Sequence, residues 1–317
     1  MINWGFLGAG SIATSSLAPA VHATAHASLH SVAARDAQRA AALGPKKTYA
    51  AYQELLGDPE VDVVYIALHN SAHRVWVEAA LAAGKNVVCE KPIALSTAEI
   101  DSMTAAADAA GKLLVEAAWN RWHPRTRAME ALIDQGAVGE VGHVAAYFDG
   151  IAPAPGNYRL DPAQGGGALY DVGYYAVSAT LAAFGWQQPA VRDVRQERWS
   201  AHSADRLTSF VLDFPGGGSA DVFSGLTGDW RETLRIDGST GSIRLVDPAF
   251  TAGSLSSVLE VSGDAAADFS RTYQAVDPYQ LMVAEVTRAL QDREAYLVPL
   301  SQSRAIAQVI DAVRAYA

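Results

Sequence analysis

The chain of 317 residues has a single cysteine, Cys89. One cysteine excludes an internal disulfide framework, and it fits a reducing compartment without requiring one. No window approaches the ~18 unbroken apolar residues of a membrane span, since the apolar segment at 61–68 is short and contains Asp62. Met1 and Ile2 lead directly into a strand-like segment, without the charged and apolar regions of a secretory signal. These absences predict a soluble, cytoplasmic protein.

Basic residues are outnumbered: 24 Lys and Arg stand against 34 Asp and Glu, and the formal net charge is −10. Nucleic acids and anionic membranes bind clustered Lys and Arg, so this balance argues against both as main partners. It leaves room for a local basic pocket that binds one small phosphate. Half of the residues are hydrophobic and 18% are charged, as in a globular chain with substantial cores.

Apolar segments alternate with helical patterns over the first 118 residues. The predicted strands are Ile2–Leu7, Leu29–Ala34, Val61–Leu68, Asn86–Cys89 and Leu113–Ala117. The predicted helices are Ser11–Val21, Asp36–Leu43, Ala51–Leu56, Ser71–Ala83 and Ser96–Ala110. This alternation predicts an α/β fold with a doubly wound parallel sheet covered on both faces.

The pattern changes after residue 120, so we place a first domain at residues 1–120 and a second at 121–317. Predicted helices lie at Arg125–Gln135, from Gly165–Leu169 to Phe184, at Pro278–Gln291 and at Ser301–Tyr316. A strand is predicted at Glu140–Asp149. A succession of strands is predicted from Val191 to Val261, including Arg206–Phe214, Ser219–Leu226, Thr233–Asp237 and Gly241–Leu245. The turns between these later strands are too short for crossover helices, which predicts antiparallel neighbours.

Residues 8–13 form a G-x-G-x-x-A pattern that follows the first strand and opens a helix. Gly8 permits the tight turn, Gly10 lets the backbone approach a pyrophosphate, and Ala13 lets helix and strand pack closely. The phosphates are expected at the positive helix N-terminus, beside Ser11 and Ile12. The triplet alone is common at ordinary turns, and its place in an alternating pattern is what predicts dinucleotide binding.

The end of the second strand indicates which dinucleotide is bound. A carboxylate at this position accepts a hydrogen bond from the 2′-hydroxyl of NAD, but this chain has Ala34 and Arg35. Arg35 can pair with a 2′-phosphate and stack on adenine, which favours NADP(H). Asp36 is predicted to cap the next helix. The alternative is a solvated Arg35 with Asp36 turned inward to bind NAD(H).

Glu90-Lys91-Pro92 lies at the carboxyl end of the fifth predicted strand, the edge where open α/β sheets bind ligands. A lysine here can donate hydrogen bonds to a substrate oxygen or lower the pKa of a neighbouring hydroxyl. The alternative is an exposed lysine before a turn proline.

Four blocks occur in order: the 5–13 loop, residues 65–73 (YIALHNSAH), the 90–92 motif (EKP) and residues 165–175 (GGGALYDVGYY). Together they resemble the glucose–fructose oxidoreductase/inositol dehydrogenase family, often called Gfo/Idh/MocA. The resemblance covers nearly the whole chain. It implies a Rossmann domain, then an α+β domain with an open, mainly antiparallel sheet, with the active site between them.

The resemblance also implies roles for individual residues. Lys91 matches the catalytic lysine of the family. The inositol dehydrogenase branch has Asp-x-Gly-x-His, whereas this chain keeps Asp171 and has Tyr175 in place of the histidine. It therefore resembles the branch of dihydrodiol and aldose dehydrogenases, as do residues 118–124 and 158–162. The change puts in doubt any role copied from the histidine-bearing enzymes.

Tyr175 is chemically suited to acid/base work, because an adjacent ammonium such as that of Lys91 stabilises a phenolate. The alternative is an aromatic side chain packed in the core. Asp171 lies four residues earlier, hence on the same face of an α-helix, where it can orient Lys91 or a substrate hydroxyl.

Further site residues follow from the resemblance, each with a structural alternative. Those expected beside the cofactor are His69, Asn70, His73 and Glu90, for which a polar loop at a strand end is the alternative. Those expected in the substrate pocket are Trp119, Arg121, Tyr158 and Arg159, for which core packing is the simpler explanation of at least one aromatic residue. His22, His26 and His30 are spaced by four, but the helix should end before His30, so we expect no metal site.

These observations predict an NADP-dependent oxidoreductase that acts on a sugar, polyol or diol. Two alternatives are a nicotinamide-dependent glycosidase and a catalytically silent nucleotide-binding regulator. Retention of Lys91 and Tyr175 argues against the regulator. An exposed antiparallel sheet face predicts a homodimer or dimer-based tetramer.

Overall fold

The computed structural model describes residues 1–263 and 268–316. The chain folds into two compact units, Met1–Trp122 with Asp277–Ser303 and His123–Val276 with Arg304–Ala317. The domain boundary at residue 120 stays a prediction. Within the described ranges, no helix combines the length and the apolar character that crossing a membrane requires.

The first unit contains a six-stranded parallel sheet, as predicted. Its strands are β1 (Ile2–Leu7), β2 (Ala27–Ala33), β3 (Lys47–Tyr49), β4 (Val63–Ile66), β5 (Asn86–Glu90) and β6 (Leu114–Ala117). They lie in the order β3-β2-β1-β4-β5-β6. Strands β2 and β3 are added on one side of β1 and strands β4 to β6 on the other, so the order of the strands reverses between β1 and β4. The side chains of β4 are fully buried, as expected of a strand covered on both faces.

The α-helices, in chain order, are α1 (Ala18–Ala23), α2 (Ala37–Ala42), α3 (Tyr52–Leu56), α4 (His73–Ala82), α5 (Thr97–Ala110), α6 (Pro124–Asp134), α7 (Tyr174–Ala183), α8 (Pro278–Ala289) and α9 (Leu300–Arg314). The predicted helix Ser11–Val21 was wrong in its interior, because Ala13–Leu17 is a π-helical segment that precedes α1. Pro19 has no N–H, so an unbroken α-helical ladder cannot pass through it.

The second unit contains an eight-stranded sheet. Its strands are β7 (Val141–Asp149), β8 (Ala190–Arg198), β9 (Asp205–Asp213), β10 (Ser219–Gly225), β11 (Arg231–Gly238), β12 (Gly241–Leu245), β13 (Ser257–Gly263) and β14 (Phe269–Tyr273). They lie in the order β14-β13-β12-β11-β7-β10-β9-β8. Only the β7–β10 pair is parallel among these neighbours, which confirms the prediction of a mainly antiparallel sheet.

The segment before α7 differs from a plain α-helix. Leu169–Gly173 is a π-helical turn, and α7 begins directly after it. The sequence prediction put Asp171 and Tyr175 on one face by assuming an α-helix through both. This assumption was wrong, because Asp171 lies in the wider π-helical turn. π-Turns inside helices are frequent at functional sites.

Candidate functional site

The loop after β1 has the geometry of a phosphate cradle. Gly8 has φ +98°, and its N–H donates to the Ala33 carbonyl at 2.9 Å. A Cβ on Gly8 would lie 2.6 Å from the Ala67 carbonyl oxygen, so only glycine fits. A Cβ on Gly10 would meet nothing nearer than that oxygen, at 3.8 Å. Packing therefore leaves the space at Gly10 open, as a bound pyrophosphate requires.

Charged side chains follow at the end of β2. Ala34 is buried and Arg35 is exposed. Asp36 caps α2, and its Oδ1 accepts hydrogen bonds from the N–H groups of Gln38 and Arg39, both at 3.0 Å. The predicted cap is confirmed, and the alternative in which Asp36 turns inward is not adopted. Arg39, which no sequence motif singles out, also contacts the glycine loop: its Nη2 donates to the Ala9 carbonyl at 2.6 Å.

The loop after β4 contains the predicted His69, Asn70 and His73. His69 is exposed and Asn70 is buried. The ring of His73 is fully buried, with Nδ1 2.9 Å from the Pro92 carbonyl and Nε2 3.2 Å from the Leu68 carbonyl. Burial lowers the pKa of His73 to about 4, so the ring is neutral at pH 7.

Glu90 and Lys91 lie at the end of β5. Lys91 is half-buried, and its N–H donates to Glu90 Oε2 at 3.2 Å. Glu90 is 7% exposed, and its Oε1 accepts from the Tyr65 hydroxyl at 2.5 Å. Burial raises the pKa of Glu90 to about 7, a rise that the hydrogen bond from Tyr65 limits. The Glu90 carboxylate thus has two partners inside its own unit.

Trp119 and Arg121 lie in a 3₁₀ turn, Trp119–Trp122, that follows β6. Trp119 is 7% exposed and stacks on Tyr279, with ring centroids 5.0 Å apart. Arg121 is 3% exposed, and its Nη2 donates to Gln302 at 3.1 Å. Both side chains predicted for the substrate pocket are thus well packed within the first unit.

The other predicted residues belong to the second unit. Arg159 makes a two-point contact with Asp171, with Nε 2.6 Å from Oδ2 and Nη2 3.1 Å from Oδ1. Its guanidinium carbon also lies 4.9 Å from the centre of the Tyr158 ring. Burial by itself would lower the pKa of Arg159. The nearby Asp171 carboxylate has the larger effect, so the pKa of Arg159 is raised, and Tyr175 makes a smaller contribution in the same direction.

Tyr175 is 5% exposed and lies in the first turn of α7. Its ring centroid is 5.6 Å from that of Phe148 and 5.8 Å from that of Tyr174. Asp171 and Arg159, for which the sequence predicts separate roles, form one ion pair near Tyr175. Because the pairing of Arg159 with the Asp171 turn depends on the tertiary fold, residue spacing alone could not reveal it.

The three histidines spaced by four do not share a helix. α1 ends at Ala23, and His22 Nε2 lies 2.8 Å from the Leu43 carbonyl. His30 instead approaches Asp58 at 3.1 Å, with Glu60 nearby. The side chains of His30, Asp58 and Glu60 are of types that bind metals and lie close together. The Lys47 ammonium also contacts this group, at 3.3 Å from Asp58 and 2.6 Å from Glu60. That cluster is a charge network at the edge strand β3.

Comparison with known proteins agrees with this geometry. The family profile described as "Oxidoreductase family, NAD-binding Rossmann fold" matches residues 2–117, and "GFO/IDH/MocA C-terminal domain" matches residues 126–244. The human trans-1,2-dihydrobenzene-1,2-diol dehydrogenase is 31% identical, over 99% of this chain and 96% of its own length. The D-xylose 1-dehydrogenase (NADP(+)) 2 of Haloferax volcanii is 31% identical, over 98% of this chain and 95% of its own length.

A solved structure gives the same result. The 3-ketoreductase KijD10 from Actinomadura kijaniata, in complex with NADP and TDP-benzene, has a TM-score of 0.90 and 25% sequence identity. The match covers 99% of this chain and 97% of that one. The family resemblance inferred from four sequence motifs is thereby confirmed. The predicted Rossmann fold and the predicted α+β fold with a mainly antiparallel sheet are confirmed with it. The chain belongs to the GFO/IDH/MocA family of oxidoreductases.

Proposed function

We propose that this protein is an NADP(H)-dependent oxidoreductase that acts on a CH–OH group of a sugar, polyol or diol. The names of its relatives support the substrate class, since one is a diol dehydrogenase and another a D-xylose dehydrogenase. The single observation that carries the proposal is the buried Tyr175 beside the Arg159–Asp171 ion pair. The proposed compartment is the cytoplasm, which the buried free thiol of Cys89 supports.

The residues at the glycine loop fit an NADP molecule. The open space at Gly10 suits a pyrophosphate. Arg35 is exposed at the end of β2, and Asp36, the residue that would select a free 2′-hydroxyl, is engaged in capping α2. A cation without a competing carboxylate at this position favours a 2′-phosphate. When bound, the nicotinamide accepts or supplies the hydride.

In the proposed mechanism, the chain's own residues handle the proton and the charge. In oxidation, Tyr175 in its phenolate form takes the proton of the substrate hydroxyl and becomes the phenol. In reduction, the phenol gives that proton back to the substrate oxygen. The Lys91 ammonium stabilises negative charge on the substrate oxygen and on the phenolate. The interaction between Arg159 and Tyr175 is mutual, so the Arg159 charge favours the phenolate, while the Asp171 carboxylate paired with Arg159 offsets part of this effect.

The test begins with a substrate screen. Aldoses, inositols and trans-dihydrodiols are incubated with NADP⁺, and NADPH formation is followed by absorbance. On the best substrate, Tyr175→Phe and Lys91→Met should each lower kcat by about 10²–10⁴-fold, the usual range of acid/base contributions. The two residues act on the same proton, so the double variant should be much less impaired than the product of the single effects.

Tyr174→Phe is the matched control, since Tyr174 is the adjacent buried tyrosine. It should turn over at nearly the wild-type rate. A Tyr175→Phe enzyme that is as active as wild type would show that Tyr175 is a packing residue. Release of an aglycone without net cofactor reduction would instead identify a nicotinamide-dependent glycosidase.

A further inference from the structure

We infer that Lys91 is placed by a frame of three buried ionisable side chains, and that Glu116 and His73 are positioning residues for it. This inference rests on the proposed function, in which Lys91 is catalytic. It concerns the backbone of the turn after β5. Three successive residues of this turn, Lys91, Pro92 and Ile93, are each held by a different side chain.

The three hydrogen bonds come from different parts of the first unit. The Lys91 N–H donates to Glu90 Oε2 at 3.2 Å. The Pro92 carbonyl lies 2.9 Å from Nδ1 of His73, at the start of α4. The Ile93 N–H donates to Glu116 Oε1, on β6, at 2.7 Å. One turn is thus fixed from its own strand, from a helix and from the neighbouring strand.

The frame is almost inaccessible to water. His73 is 0% exposed, Glu116 is 1% exposed and Glu90 is 7% exposed. Burial of an ionisable group costs free energy unless that group is hydrogen-bonded, and each of these three side chains makes a hydrogen bond to the backbone of the turn that carries Lys91. The Glu116 charge even contributes to the raised pKa of Glu90, which shows that the two carboxyl groups oppose one another. Core packing alone does not account for this arrangement.

These three buried side chains are explained if their role is to hold the turn after β5 in place. The Lys91 side chain is long and flexible, so the position of its ammonium depends on where the backbone holds its first carbon. A displacement of about 1 Å at a reacting centre can reduce the rate 10²-fold. Glu116 and His73 both contact the turn one or two residues after Lys91, and we assign them the task of limiting that displacement. No sequence motif predicts a role for Glu116, and the family resemblance predicts that His73 lies beside the cofactor.

Glu116→Met tests the assignment, because Met keeps the length of the side chain and removes the acceptor for the Ile93 N–H. We expect kcat to fall by about 10–100-fold, while the Kd for NADPH changes less than about twofold. The primary isotope effect with 4-deuterated NADPH should increase, because the chemical step becomes slower. Glu116→Gln keeps an oxygen that can accept from Ile93 and should recover most of the rate.

Two results would overturn the inference. One is a folded Glu116→Met protein with wild-type kcat. The other is equal impairment of the Gln and Met variants with a parallel loss of NADPH binding, which indicates a structural role only. If Glu116→Met does not fold, His73→Asn provides the same test, and wild-type kcat in that variant overturns the inference. Lys91→Met is measured alongside, since full activity there rejects the proposed function itself.

Discussion

Arg35 is the residue on which the choice of cofactor depends. It is exposed at the end of β2, while Asp36 is engaged by α2. If Arg35 pairs with the 2′-phosphate, Arg35→Ala should weaken NADP(H) binding by about 1–3 kcal/mol and leave NAD(H) binding unchanged, as expected for charge-assisted hydrogen bonds. Titration of both cofactors by fluorescence measures this. Equal losses for both would assign Arg35 to adenine stacking.

Arg39→Ala is the contrasting variant. Arg39 donates to the Ala9 carbonyl inside the glycine loop, so its loss should loosen the loop that holds the pyrophosphate. Because both cofactors contain the pyrophosphate, NADP(H) and NAD(H) should both bind more weakly. A loss confined to NADP(H) would instead show that Arg39, as well as Arg35, recognises the 2′-phosphate.

His73 gives the stability a defined pH dependence. Burial lowers its pKa from 6.5 to about 4, so the unfolded chain binds this proton more tightly than the native state does. The contribution is therefore fully present above pH 6.5 and is lost as the pH falls towards 4. Between pH 7 and pH 5 the free energy of unfolding should decrease by about 2 kcal/mol from this group alone. His73→Asn should lack this part of the slope in urea titrations, and an unchanged slope would contradict the assignment.

At the scale of elements, the apolar strands of the first unit and the glycine loop were predictable because their signals are local. The strands β3 and β14 were missed, since Lys47–Tyr49 is short and Phe269–Tyr273 is mostly polar. Such edge strands form because a neighbouring strand offers hydrogen bonds, which no local pattern encodes. The same reason explains Arg159 and Glu116, whose partners were identified only from the folded chain.

The glycine loop allows a matched pair of variants. Gly10→Ala places a methyl group in open space, so the fold should remain intact while the pyrophosphate is excluded. Gly8→Ala forces a positive φ on alanine and brings its Cβ to 2.6 Å from the Ala67 carbonyl. It should lower the free energy of unfolding by at least about 1–3 kcal/mol. Thermal unfolding and NADPH titration separate the effects. Wild-type NADPH affinity in Gly10→Ala would show that this loop does not hold the pyrophosphate.

At the scale of the whole molecule, the uncovered face of the eight-stranded sheet is the feature that indicates assembly. Its middle carries the stacked rings of Tyr147 and Phe223, with centroids 4.3 Å apart, and Val211 lies nearby on β9. Ion pairs lie towards its edges, including Arg244–Glu260 and Arg192–Asp213. The Arg231 guanidinium carbon lies 5.1 Å from the centre of the Tyr147 ring, and the exposed Asp221 lies on the same face. Aromatic residues and arginine are enriched at interfaces between subunits.

We therefore propose that a second copy of the chain covers this face, which gives a homodimer or a tetramer built from dimers. An isologous contact brings the same patch of both copies together, so one substitution acts on both sides of the interface. Phe223→Arg removes one of the stacked rings and adds a second cation near Arg231, so it should shift the mass measured by light scattering at micromolar concentration towards the monomer. Val75→Arg is the control, because Val75 is 54% exposed on α4 and belongs to the first unit. A wild-type protein that is monomeric under these conditions would reject the proposal. A Phe223→Arg protein with an unchanged dimer mass would move the interface to another surface, because an interface centred on this face would lose the stacked ring and gain an arginine on both sides of the contact.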